Sequence, residues 1–143
     1  ANVATVPGID GQKMSKSYGN AIDLFMDEKA LQKRCNKIVS SSTPLGEPLE
    51  HEDDNIFALA SLFLDHREKL ELQLRYHSGK EGYGHFKKYL KELIWEELGE
   101  AREKREYYLS HMDEVHDILN EGANKASAIA SAKMEKVREA IGL

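Results

Sequence analysis

Gly84-His85-Phe86-Lys87-Lys88-Tyr89-Leu90-Lys91-Glu92-Leu93-Ile94-Trp95-Glu96-Glu97 decides the fold class of this chain. Phe86, Tyr89, Leu90 and Leu93 recur at spacings of three, one and three, the apolar face of an amphipathic helix, and the stripe loses strength at Glu97. Lys87, Lys88 and Lys91 alternate with Glu92, Glu96 and Glu97 in the manner of a solvated helix surface with i,i+4 pairs. Gly99 follows, a residue that costs about 1 kcal/mol against alanine inside a helix, and it reads as a kink or helix junction.

Working outward, the same period recurs on both sides. Asp27 is placed to cap a helix running to about Val39, with Leu31, Cys35, Ile38 and Val39 on its apolar face. Residues 40–54 read as a linker, with Pro44 and Pro48 barring regular structure. Asp54 or Asn55 caps the next helix, whose buried stripe is Ile56, Leu59, Ala60 and Phe63. A short helix to about Tyr76 then stops near Gly79. Beyond Gly99, Tyr108, Leu109 and Met112 resume the pattern, followed by Val115, Ile118 and Leu119. Gly122 reads as a C′ stop, and a last helix over about 123–140 is expected to bury Ala126, Ala130, Met134, Val137 and Ile141. No useful length shows the period-two alternation of a strand. The fold class expected is all-α, a helical bundle preceded by an extended, glycine-flanked loop.

That loop holds the chemistry. Lys13-Met14-Ser15-Lys16-Ser17 is bracketed by Pro7, Gly8, Gly11 and Gly19, which favours a mobile loop over a helix. Two ammonium groups three residues apart can meet different phosphate oxygens, and serine hydroxyls and loop N–H groups add neutral donors. The spacing is not that of the Gly-x-x-x-x-Gly-Lys-Ser/Thr phosphate loop. A solvated surface loop is the plain alternative.

Composition bounds the rest. At 143 residues, with 41% hydrophobic and 31% charged side chains, the chain has enough apolar material for one packed core. Cys35 stands alone, so no internal disulfide and no oxidising compartment is implied. No apolar run approaches a membrane span or a signal peptide, and a cytoplasmic chain is expected. The formal net charge of −5 makes a uniformly basic surface impossible, although local charge decides phosphate contact. His51-Glu52 begins like a zinc-protease motif, but Asn55 stands where the second histidine would. His111 and His116 are five apart and poorly placed to share a metal, so no metal site is assigned. Trp95 and the tyrosines read as packing or rim residues, and Cys35 as a small buried hydrophobe.

The pentamer matches the signature loop of class I aminoacyl-tRNA synthetases in all five positions. Flanking it are Val6-Pro7-Gly8-Ile9-Asp10-Gly11-Gln12 and Tyr18-Gly19-Asn20-Ala21-Ile22-Asp23-Leu24. Further on come Ser42-Thr43-Pro44, Asn55-Ile56-Phe57-Ala58-Leu59, Tyr83-Gly84-His85-Phe86-Lys87-Lys88, Gly122-Ala123-Asn124-Lys125-Ala126 and Val137-Arg138-Glu139-Ala140-Ile141-Gly142-Leu143. Taken in order, these segments resemble the C-terminal part of the bacterial-type tryptophanyl-tRNA synthetases over nearly the whole chain. The pentamer alone indicates class I; the later segments indicate tryptophan.

The resemblance implies a tryptophan–tRNA ligase that activates tryptophan with ATP and transfers it to tRNA(Trp). It implies that residues 1–22 are the end of a Rossmann catalytic domain and residues 23–143 an anticodon-binding domain. The chain is then expected to be one part of a longer enzyme, inactive alone. Lys13 and Lys16 would contact the ATP phosphates as catalytic residues, with Ser15 and Ser17 as supporting donors and Met14 seating the loop. Gly11 and Gly19 would serve as hinges. Mg²⁺ would accompany the ATP phosphates. The family implies a homodimer formed through the catalytic domain, and neither a membrane nor DNA as partner. On the last helix Lys125, Lys133 and Lys136 fall within about a quarter-turn of one another, a small cationic face suited to RNA phosphates, with Asn124 and Ser127 near its start. Two rivals stand beside this reading: another class I synthetase, the tyrosyl type above all, and a non-catalytic helical RNA-binding or interaction module.

Overall fold

Three aspartates begin three helices. In the computed structural model, which describes residues 5–142, Asp27 accepts the Ala30 N–H at 2.8 Å and opens α1 (Glu28–Asn36). Asp54 accepts the Phe57 N–H at 2.8 Å and opens α2 (Asn55–Ala60). Asp65 and Glu68 form a reciprocal capping box at the start of α3 (His66–His77). Gly82 precedes α4 (Tyr83–Glu97), and after Leu98 the chain continues as α5 (Gly99–Ser110) and α6 (Met112–Ile141). The helix junction expected at Gly99 is present. The only pairing of strand type among the described residues is an isolated antiparallel bridge between Pro7 and Lys13, and the all-α class holds.

The chain forms two compact units, one ending at Gly99 and the other beginning at Glu100. In the first, α4 packs against α1 and α2. Its buried line is Phe86, Leu90 and Ile94, with Tyr89 and Leu93 half-buried beside it. Ile94 thus replaces Leu93 and Glu97 at the end of the expected stripe, because i,i+4,i+8 follows the helix-on-helix contact more closely than i,i+3,i+7. Leu31 and Cys35 join this line in the core from α1, Ile38 from just beyond its end, and Ile56, Leu59 and Ala60 from α2. Phe63 is only half-buried, after α2 has ended. Val39 is 59% exposed. Helix α1 ends at Asn36, three residues before the expected limit, so Val39 has left the helical register, and its N–H instead donates to the Ile9 carbonyl at 2.8 Å.

The segment between α1 and α2 has no regular structure, as expected, yet it is pinned. Leu49 is fully buried, its N–H donates to the Tyr76 carbonyl, and the Gly46 N–H donates to the Gly79 carbonyl. Tyr76 lies in the core against Phe86, with ring centroids 4.0 Å apart, and its hydroxyl donates to Asp54 at 2.8 Å. That carboxylate therefore caps α2 and ties it to α3.

The second unit holds α5 and α6. Helix α6 passes through Gly122 without a break, so the stop expected there is absent. Gly122 is not in the left-handed region that a C′ glycine adopts, and the helix ends at Gly142, whose φ is +78°. No residue of α6 is buried: Met134 and Val137 are exposed and Ile141 is 65% exposed. The expected apolar stripe exists as a periodicity, but no described element covers it.

Candidate phosphate-binding loop

The loop is a folded object, because its polar groups close on one another. The Gly8 N–H donates to the Gln12 carbonyl at 2.7 Å and the Met14 N–H to the Val6 carbonyl at 2.8 Å, making a tight hairpin over Val6–Met14. Gly11 turns its tip at φ +81°, a conformation costly for any residue with a Cβ. Asp10 accepts the Gln12 N–H at 3.0 Å. Lys16–Tyr18 then forms a single 3₁₀ turn, closed by Gly19 at φ +65°. The expectation of a loop without helix is thus modified by one short helical turn, which the Ser15 and Lys16 carbonyls support through the Tyr18 and Gly19 N–H groups.

One side chain joins the hairpin to the turn. Asn20 is only 2% exposed. Its Oδ1 accepts the Ser15 N–H at 2.8 Å, while its Nδ2 donates to Asp10 Oδ1 at 2.8 Å and to the Lys13 carbonyl at 3.1 Å. One Asn20 amide N–H, helped by the Gln12 N–H, holds the Asp10 carboxyl below the ordinary carboxylate range. The underside of the loop is fixed to α1: Arg34 donates from Nε to the Ala21 carbonyl at 2.8 Å and from Nη2 to the Gly19 carbonyl. Val6, Ile9 and Met14 pack against the core. Met14 therefore seats the loop.

The outer face is cationic. Lys13 and Lys16 are both exposed, and neither ammonium takes part in an ion pair with a described residue. Ser15 and Ser17 are hydrogen-bonded through their hydroxyls at 2.8 Å. The pentamer thus runs from the second arm of the hairpin, Lys13 and Met14, through Ser15 into the 3₁₀ turn at Lys16, and Asn20 braces the two together. The donors are ammonium, hydroxyl and N–H groups, a set matched to phosphate oxygens. Ammonium and N–H groups cannot ligate a cation, and no cluster of three His, Cys, Asp or Glu suited to a metal occurs among the described residues.

The other nominated residues lie in the second unit. Lys125, Lys133 and Lys136 are all exposed on α6, and Lys125 is paired with Glu121 at 2.6 Å. Reading the sequence overlooked Asn20, Asp10 and Arg34. Asn20 closes the eight-residue string Lys13–Asn20, a signal that was present. Arg34 had none, since only the fold brings it beneath the loop.

The fold and loop together define a class. Residues 2–112 match the family model of class I tRNA synthetases (W and Y), and the chain belongs to that family. Within it, the chain is 52% identical over 141 residues to the tryptophan–tRNA ligase of Campylobacter jejuni strain RM1221, covering 99% of this chain and 44% of that relative. It is 47% identical to the tryptophan–tRNA ligase of Fusobacterium nucleatum, over 98% of this chain and 43% of the relative. The crystal structure of Campylobacter jejuni tryptophanyl-tRNA synthetase complexed with ADP and tryptophan superposes with a TM-score of 0.95 at 52% identity, over 99% of this chain and 44% of that one. The chain spans less than half the length of these relatives. Among the described residues no helix is long and apolar enough to cross a membrane.

Proposed function

We propose that this chain supplies the ATP-phosphate loop and the helical tRNA-binding part of a tryptophan–tRNA ligase. The observation that carries the proposal is the braced loop on which Lys13 and Lys16 are both exposed, in a chain 52% identical to a tryptophan–tRNA ligase. The relative crystallised with ADP and tryptophan supports ATP and tryptophan as substrates of the whole enzyme. In that reading the tryptophan carboxylate attacks the α-phosphorus of ATP, an aminoacyl-adenylate forms and pyrophosphate leaves. Lys13 and Lys16 stabilise the negative charge that shifts onto the departing phosphates, while Ser15, Ser17 and the loop N–H groups donate to their oxygens. Mg²⁺ travels with the ATP phosphates, since the one carboxylate of the loop, Asp10, is already taken up by the Gln12 N–H and the Asn20 amide.

Residues 1–22 belong in this reading to the catalytic domain and residues 23–143 to the anticodon-binding domain. Lys133 and Lys136 contact tRNA(Trp) phosphates, and Lys125 joins them once its pairing with Glu121 loosens. The enzyme works in the cytoplasm, and its dimer contact lies in the part of the relatives that this chain does not cover.

The test is amino-acid-dependent ATP–pyrophosphate exchange by the full-length enzyme carrying this chain, run with each of the twenty amino acids. Exchange with tryptophan alone supports the proposal. Exchange with tyrosine keeps the chemistry and overturns the specificity, and exchange with none overturns the enzyme reading. Lys16→Ala is expected to slow adenylate formation about 10²-fold while tryptophan binding changes little. Equal losses in both would remove Lys16 from transition-state stabilisation.

A further inference from the structure

We propose that Asn20 is the positioning residue of the phosphate loop, setting the backbone from which Lys13 and Lys16 reach the nucleotide. The inference rests on the function proposed above and adds a residue to it. Its basis is the buried Asn20 amide, which touches both halves of the loop at once. Ser15 N–H can only donate and the Lys13 carbonyl can only accept, so the side chain is locked with Oδ1 toward Ser15 and Nδ2 toward Lys13. These two contacts fall on either side of Met14, on the first and third residues of the pentamer. The second Nδ2 proton goes to Asp10 on the hairpin tip, and the Asn20 carbonyl accepts the Ile9 N–H at 3.0 Å.

The surroundings are built for this amide. A Cβ on Gly8 would lie 2.5 Å from Asn20 Cγ and Nδ2, so only glycine leaves the room it occupies. Arg34 grips the Gly19 and Ala21 carbonyls, the neighbours of Asn20 on both sides. Lysine side chains are long and rotamer-rich, so the direction in which each ammonium points depends on where its backbone starts. Fixing the Lys13–Ser15 backbone before ATP arrives removes an ordering cost from the reaction step. The amide must also be neutral. A carboxylate at position 20 would face the Asp10 carboxylate at hydrogen-bond distance and set an acceptor against the Lys13 carbonyl.

The experiment uses the full-length enzyme and tryptophan-dependent ATP–pyrophosphate exchange, with kcat and KM resolved for ATP and tryptophan and scaled to titrated active sites. Asn20→Asp is expected to lose about 10²-fold in kcat with the tryptophan KM within about twofold of the parent. The double variant Asp10→Asn/Asn20→Asp reverses the amide–carboxylate pair and is expected to recover about tenfold of that loss. Gly8→Ala displaces the amide while leaving residue 20 intact, and a comparable fall in kcat is expected; it carries the test if Asn20→Asp fails to fold. A merely structural asparagine would lower the melting temperature and the number of active sites, leaving kcat per site unchanged, and that result overturns the proposal. So does a double variant no faster than Asn20→Asp. A parent enzyme with no tryptophan-dependent exchange would overturn the proposed function instead, so the two failures are distinct.

Discussion

Cys35 faces the core from α1 and is fully buried, and that burial pushes its thiol up to about 11. The thiol is therefore protonated near neutral pH, and a thiol-reactive dye is expected to leave it untouched in the native chain and modify it fully in denaturant. Asp54 shows the cost of placing a carboxylate in the same core. Burial raises its pKa, against the opposing pull of the Phe57 N–H and the Tyr76 hydroxyl. Asp54→Ala removes the cap of α2 and leaves the Tyr76 hydroxyl without its acceptor, so urea unfolding is expected to show a loss of about 2–3 kcal/mol. Asp54→Asn keeps an acceptor and is expected to lose less. Arg75 acts in the opposite sense at the surface. Its two hydrogen bonds, 2.8 and 2.7 Å, hold Glu81 below the ordinary carboxylate range. The folded Glu81 value lies below the unfolded one near 4.5, so its contribution is present above that pH and is lost as the pH falls through the folded value. Glu81→Gln is expected to flatten the loss of stability on acidification, by about 0.5 kcal/mol for a pair that is only half-buried and screened by solvent.

Helices were legible where their causes are local. Asp27 and Asp54 cap the helices assigned to them, since a cap is a contact over three residues and its cause is written beside it. The Gly122 stop failed for a related reason: a glycine ends a helix only if the chain turns left-handed there, and composition does not fix that. With helix formers on both sides and no proline after it, Gly122 remains helical, and a Cβ there meets nothing within 4 Å. Gly122→Ala is therefore expected to stabilise the chain by about 0.5–1 kcal/mol, read from the thermal midpoint of far-UV circular dichroism. Gly79 is the opposite case. Its φ is +68° and a Cβ would lie 2.9 Å from the Gly46 carbonyl oxygen, so Gly79→Ala is expected to destabilise by more than 1 kcal/mol in the same measurement.

On the scale of the whole chain, every buried hydrophobic residue described lies before Gly99, and none lies in α5 or α6. A chain of residues 1–99 is expected to unfold cooperatively, whereas residues 100–143 alone are expected to show far less helix by circular dichroism than α5 and α6 contain. Helices gain most of their stability from packing an apolar face, and the second unit buries none of its own. The sequence by itself determined the helical class, the Asp27 and Asp54 caps and the contiguous Lys13–Ser17 motif, because periodicity, caps and a short motif all act over a few residues. Only the tertiary structure decided that Asn20 and Arg34 brace that motif, that Leu49 and Ile94 enter the core while Val39 does not, and that the α6 stripe stays uncovered. Those outcomes depend on which distant segment arrives opposite a given side chain. Arg34 is 15 residues from the Gly19 carbonyl it holds and Tyr76 is 22 from Asp54, separations at which local pattern carries no information.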